Sequence, residues 1–116
     1  MPLVKIITSA ARAQVNTKSA LAAFTSAVSQ ALDRPEEFVM VHLELEAAVS
    51  MKQSSEPCAL INIGSFTSIS REDNPKTIRM VTEVCEKELN VPAARVFVTL
   101  EQLIPVNSGI NGEMIG

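Results

Sequence analysis

The sequence predicts an α+β fold in which two β-α-β repeats form one four-stranded mixed sheet with two helices on one face. Three observations predict it. A residue pattern recurs at an offset of 57 positions. In each copy a short β-rich run, an apolar stripe at helical spacing and a second β-rich run follow one another. The chain has 116 residues, 47% of them hydrophobic, which is the size of one domain with its own core. A single domain is therefore expected over 1–116, with pseudo-repeats at about 2–57 and 59–116.

The first run, Leu3 to Ile7, is short and β-rich. From Thr17 to Leu32, apolar residues at 21, 24, 28, 31 and 32 form one helical stripe. Asn16 or Thr17 can cap the start of this helix, and Pro35 stops it. Phe38 to Glu46 alternates, with Val39, Val41, Leu43 and Leu45 on one side and Met40, His42, Glu44 and Glu46 on the other.

Ala59 to Ile63 opens the second copy, so that Val4 and Ile6 fall over Ile61 and Ile63. Ser70 to Asn74 reads as a helix entry, and Pro75 suits a first turn. Ile78, Val81, Cys85 and Leu89 give that helix its apolar face, lying over Leu21, Phe24, Val28 and Leu32. Leu32 and Pro35 lie over Leu89 and Pro92, each pair leading into a β-rich run, and Val96 to Leu100 is the last clear strand. The tail from Ile104, with Pro105, Gly109 and Gly112, reads as turns around a short extension.

A strand-helix-strand unit implies a parallel pair with a right-handed crossover. Two units side by side leave one sheet face without helices. Parallel pairs usually have both faces covered, so the pattern points to self-association; a solvated face is the alternative.

Composition narrows the function. The net charge is -3 and Lys and Arg are scattered, which argues against a nucleic-acid partner. No apolar run reaches the roughly 18 residues of a membrane span. The start Met1-Pro2-Leu3-Val4-Lys5 does not read as a secretory signal, so a cytoplasmic location is expected. Cys58 and Cys85 lie far apart and read as small buried hydrophobes in a reducing compartment. With one histidine, two cysteines and no ligand spacing, no metal site is expected. His42, unpaired on a polar strand face, reads as structural or interfacial. There are four Phe and no Trp or Tyr, so an aromatic pocket can draw only on Phe24, Phe38, Phe66 and Phe97.

Four segments in order carry a resemblance. They are Met1-Pro2-Leu3-Val4, the run from Arg34-Pro35 through His42, Ser54-Ser55-Glu56-Pro57-Cys58-Ala59-Leu60, and Val91-Pro92-Ala93-Ala94-Arg95-Val96-Phe97-Val98. Together they resemble the macrophage migration inhibitory factor family of the tautomerase superfamily, along the whole chain. The resemblance implies a homotrimer whose sheets surround a central channel, with an active site at each subunit interface. It implies keto-enol tautomerisation of phenylpyruvate-like and dopachrome-like compounds, without a cofactor. The alternative it carries is a cytokine-like signalling or binding protein with a protein receptor and little or no catalysis. Family members are exported without a signal peptide, so secretion by such a route is compatible with the sequence.

Pro2 is the expected catalytic residue. Removal of Met1 leaves a secondary amine; a free α-amine has a pKa of roughly 7.7–8.0, and burial beside cations lowers it. Such a base can take a proton α to a carbonyl. With Met1 attached, the Pro2 nitrogen is an amide and no base. By itself a Met-Pro start is a weak signal, since most proteins that share it use it for nothing. Val4, Ile6 and their neighbours are expected as the apolar wall.

The family's substrate-binding lysine corresponds to Arg34, which could hold a carboxylate bidentately or be a solvated arginine at a helix end. Its Ser-Ile-Gly reads Ser65-Phe66-Thr67, its interfacial Tyr is Phe97, and its Asn two residues on is Thr99. Its two tail aromatics correspond to Ile110 and Ile115. The Gly-Gly after the second strand is Lys52-Gln53, which places a cation at the expected rim. Phe66, Phe97, Thr99, Ile110 and Ile115 are thus the substrate-binding candidates beside Arg34, with Lys52 at the rim. The lost aromatics point to a substrate that is a smaller, more aliphatic or more anionic keto or enol carboxylate. The family's Cys-x-x-Cys is broken at Cys58-Ala59-Leu60-Ile61, so thiol-disulfide activity by that route is unsupported.

Overall fold

The computed structural model describes residues 1–116. Strands β1 (Leu3–Thr8), β2 (Met40–Glu44), β3 (Ala59–Ser65) and β4 (Val96–Gln102) form one sheet in the order β2-β1-β3-β4. Helices α1 (Thr17–Leu32) and α2 (Asn74–Val84) pack on each other and on the sheet. β1 runs parallel to β2, β3 parallel to β4, and β1 antiparallel to β3. The sheet is mixed, as the two-repeat pattern predicts.

The repeat is visible in the register. Leu3 pairs with Met40 and Ile6 with Leu43; Leu60 pairs with Phe97 and Ile63 with Leu100, at the same sequence separation in both halves. Lys5 pairs with Asn62, its own counterpart in the other half. An internal two-fold axis therefore passes between those two residues.

Val4, Ile6, Ile61 and Ile63 point into the core and are fully buried, with Phe24, Val28 and Leu32 from α1 and Val81, Cys85 and Leu89 from the second helical segment. Fully burying one such side chain stabilises by about 1.5–3 kcal/mol. Asn16 caps α1 by accepting from the Ser19 amide at 3.0 Å. Ser70 caps the entry to α2, accepting from the Asp73 amide at 3.0 Å and donating to Asp73 Oδ2 at 2.9 Å.

Two expectations are corrected. Ile78 is exposed, and Thr77 takes the buried place on α2, bonding Asp73 O at 3.5 Å. The buried series is then 77, 81, 85 and 89, a spacing of four that drifts around an ordinary helix. Beyond Val84 the chain widens into a π turn over Cys85–Leu89, which keeps Leu89 on the core side. The alternating run is also shorter than Phe38 to Glu46. Glu36–Phe38 is a 3₁₀ turn, closed by Phe38 N–H to Pro35 O at 3.1 Å and Val39 N–H to Glu36 O at 3.1 Å. The tail forms a hairpin of β5 (Gly109–Ile110) and β6 (Glu113–Met114). Its turn residues Asn111 and Gly112 have φ of 57° and 76°, the pairing a type I′ turn demands.

The face without helices carries three cross-strand rows. Met40, Leu3, Gly64 and Glu101 form one; His42, Lys5, Asn62 and Thr99 the second; Glu44, Ile7, Leu60 and Phe97 the third. Asn62 Nδ2 donates to Thr99 Oγ1 at 2.7 Å within the polar middle row. Met40, Leu60 and Phe97 are exposed around it.

Candidate active site

At the start of β1 the chain end meets the exit of α1. Pro2 is buried, and its carbonyl accepts the Met40 amide at 3.0 Å, so the N-terminus is tied to the end of the sheet. α1 ends at Asp33, whose left-handed φ of 54° lets its N–H return to Ser29 O. The Arg34 amide bonds the same carbonyl at 3.0 Å. Pro35 then turns the chain, and the 3₁₀ turn after it swings Phe38 out of the strand. The loop 65–68 closes the other side. Ser68 Oγ donates to Leu32 O at 3.1 Å, fastening that loop to the end of α1.

Between these elements lies a cavity of about 470 Å³, lined by Met1, Arg34, Pro35, Phe38, Ser65, Phe66 and Thr67. The Arg34 guanidinium donates from Nε and Nη2 to Thr67 Oγ1, at 3.1 and 2.7 Å. Ser65 is buried; its hydroxyl donates to Thr67 O at 2.8 Å and accepts from the Thr67 amide at 3.3 Å. The α-amine of Met1 has its pKa pulled below the usual 8.0, first by burial and then by the Arg34 charge. A cation, an aromatic wall and a chain-terminal amine of reduced basicity thus share one cavity. No group of three or more His, Cys, Asp or Glu side chains converges anywhere in the chain.

The structure brings some of the expected residues together within the chain and leaves others apart. Pro2, Arg34 and Phe66 gather at or beside the cavity. Phe97 and Thr99 lie on the helix-free face of β4, and Phe97 is 57% exposed. Ile110 and Ile115 sit on the tail, 52% and 43% exposed. Lys52 occupies a tight turn and reaches Ala94 O at 3.5 Å, away from the cavity. Val4 and Ile6 belong to the main core and are absent from the cavity wall, because their side chains face the helices. That wall is Pro35, Phe38 and Phe66 instead.

Of the lining residues, the sequence singles out Arg34 and Phe66 as binding candidates and Phe38 only as one of four available aromatics; it does not select Met1, Pro35, Ser65 and Thr67 as lining. Phe38 was hidden by the alternation that continues through it. Ser65 and Thr67 carry no pattern beyond their place in the Ser65-Phe66-Thr67 segment.

Comparison with solved structures shows the fold. The macrophage migration inhibitory factor of Trichinella spiralis superposes with a TM-score of 0.91 at 20% identity, covering 97% of this chain and 98% of that one. That of Oncomelania hupensis gives 0.92 at 22% identity, over 100% and 83%. Two parallel strand pairs joined antiparallel in one sheet are thus the fold this chain shares with those solved structures. Among curated sequences, the macrophage migration inhibitory factor of Xenopus tropicalis is 27% identical over 112 residues, 97% of this chain and 96% of the relative. The MIF-like protein mif-2 of Caenorhabditis elegans is 28% identical over 115 residues, 99% and 95%. The family model described as macrophage migration inhibitory factor (MIF) matches residues 1–116, and the chain belongs to that family. No helix is long and apolar enough to cross a membrane.

Proposed function

We propose that this protein is a cofactor-independent keto-enol tautomerase whose general base is the amine of Pro2, freed by removal of Met1. The observation that carries the reading is the position of the chain terminus beside Arg34, where burial and a positive charge both lower the basicity of an α-amine. A secondary amine in that place would be subject to the same two influences, which favour its neutral, basic form.

The substrate class is a small 2-oxo carboxylate with an enolisable C–H. Arg34 holds the carboxylate. The Pro2 nitrogen takes the proton from the carbon next to the ketone, and the C–H electron pair becomes the enolate C=C. The ketone oxygen, now bearing the charge, takes a proton from the Pro2 ammonium, directly or through a water, which gives the enol and returns the neutral amine. Phe38, Pro35 and Phe66 supply the apolar wall. Weak turnover of phenylpyruvate is expected, since Phe97, Ile110 and Ile115 stand where the family has other aromatics.

A homotrimer fits the same reading. Phe97, Thr99, Ile110, Ile115 and Lys52 lie away from the cavity of their own chain, and a neighbouring copy is what would bring such residues to it. The exposed rows on the helix-free face support a covered sheet. The second reading is a MIF-like signalling or binding protein whose pocket is a relic; the substituted aromatics favour it. Two preparations separate them, one with Met1 retained and one with it cleaved. Turnover confined to the cleaved form supports the tautomerase, equal turnover in both rules out Pro2 as its base, and absent turnover in both favours the binding protein.

A further inference from the structure

Thr67 stands where the resemblance places a glycine, and its side chain is engaged with the cation of the cavity. Arg34 Nε and Nη2 are the two nitrogens of the side-on edge of the guanidinium, the edge that takes a carboxylate in a parallel pair. Both donate to Thr67 Oγ1, at 3.1 and 2.7 Å. That edge is therefore occupied by a neutral acceptor. The end-on pair, Nη1 and the remaining N–H of Nη2, is left for a ligand. A hydroxyl that accepts two bonds from a cation must also turn its own proton away from that cation.

Thr67 is not free to move aside. Its amide and its carbonyl are both bound by the hydroxyl of Ser65, which is buried. Ser68 ties the same loop to the last turn of α1, from which Arg34 departs. The two partners thus spring from elements that are fastened to each other. Both line the 470 Å³ cavity.

We propose that Thr67 determines how this protein binds a carboxylate: it locks Arg34 so that only the end-on edge faces the cavity, and its O–H is a second donor to the same ligand. The carboxylate spans Nη1 and Nη2 with its two oxygens, and the Thr67 hydroxyl reaches an oxygen acceptor beside it. Monocarboxylates with an oxygen on the adjacent carbon fit this three-donor arrangement better than bare hydrocarbon acids. Thr67 is a positioning residue, since it acts chiefly through Arg34. The inference rests on the reading of Arg34 as the carboxylate site, though not on catalysis by Pro2.

The test is a binding titration of 3-phenylpropanoate and its 2-oxo analogue phenylpyruvate, followed by NMR, on wild type, Thr67→Val, Thr67→Ser and Arg34→Ala. The neutral 3-phenylpropanamide is the control. Thr67→Val should weaken both acids about three- to tenfold and leave the amide unchanged, with the larger loss for phenylpyruvate. Thr67→Ser should restore both to within about twofold of wild type, and Arg34→Ala should weaken them most. In turnover, Thr67→Val should raise KM with kcat held. Acid affinities in Thr67→Val within twofold of wild type overturn the proposal. So does an equal loss for the amide, or wild type binding neither acid at millimolar concentration. If wild type binds the acids but turns over no keto acid, the tautomerase reading falls, and the Thr67→Val affinities alone decide this one.

Discussion

Asp33 and Asn90 hold the same backbone conformation at the same place in the two halves of the chain, with φ of 54° and 57°, each ending its helical segment before a proline two residues on. A side chain with Cβ costs roughly 1–2 kcal/mol in this left-handed region, and Asp and Asn bear it best through local hydrogen bonding. Asp33 also sets the exit direction of Arg34. Asp33→Ala should therefore cost about 1 kcal/mol in chemical denaturation, while Asp33→Gly should cost less or nothing. Equal losses in both variants would show that the side chain, and not the backbone angle, is what matters there.

Arg95 clamps a loop by itself. Its guanidinium donates to Pro57 O at 3.0 Å, Met51 O at 3.2 Å, Ser54 O at 3.2 Å and Glu56 O at 2.8 Å. The turn it holds is strained, for Lys52 and Gln53 have φ of 53° and 59°. Arg95→Met should cost about 2 kcal/mol, because several carbonyls lose a charged donor. Arg95→Lys should recover little, since an ammonium cannot span four carbonyls in a fork. Hydrogen exchange at the Ser54 amide, bonded to Met51 O at 3.0 Å, gives a local readout that should rise in both variants.

Burial and Arg34 both lower the pKa of the Met1 α-amine, and a Pro2 amine freed at the same place should be lowered by the same two causes. A base works in its neutral form, so kcat/KM should fall on the acid side, below a pKa that is itself lower than that of a free α-amine. Arg34→Ala removes one of the two causes and should move that limb to higher pH, in addition to raising KM. A pH–rate profile of the Met1-cleaved protein measures both. An unchanged limb would mean that the titrating group is not the chain terminus.

Cys85 has its pKa pushed up to about 12, by burial first and by the neighbouring Glu86 second. Well below its ordinary pKa of 9.0 the thiol is protonated folded or unfolded, and it gives no pH dependence. Between there and about 12 only the unfolded state loses the proton, so stability should decline as pH rises. The limit is about a tenfold fall in the folding equilibrium constant per pH unit. No tyrosine titrates in the same range. Denaturation curves from pH 8 to 11 should flatten in Cys85→Ala relative to wild type, and parallel slopes would contradict the assignment.

Phe97 is 57% exposed at one end of a row that runs through the apolar Leu60 and Ile7 to Glu44. If a neighbouring copy covers it, Phe97→Glu should dissociate the trimer, because the charge would have to be desolvated. Sedimentation at micromolar concentration should then give a monomer for the variant and a trimer for wild type. A wild-type monomer would remove the proposed second wall of the active site.

Much of this protein was legible in its residues. The alternation of Val39, Val41, Leu43 and Leu45, the stripe through Phe24, Val28 and Leu32, and the return of both patterns after Pro35 in the run from Ala59 encode strand, helix and strand twice. Local periodicity suffices for that, because burial on one face is a property of spacing. The Met-Pro start and Arg34 could also be singled out in order along the chain. What spacing cannot carry is which side chains meet. Phe38 leaves its strand because two 3₁₀ bonds outweigh the alternation, Thr77 rather than Ile78 takes the buried place one turn before Val81, and a π turn beyond Val84 keeps Leu89 on the core side. The pairing of Arg34 with Thr67 joins residues 33 positions apart through a loop fastened by Ser65 and Ser68. Such contacts depend on distances of a few ångströms between elements, and only the packing of α1 against the sheet sets those distances.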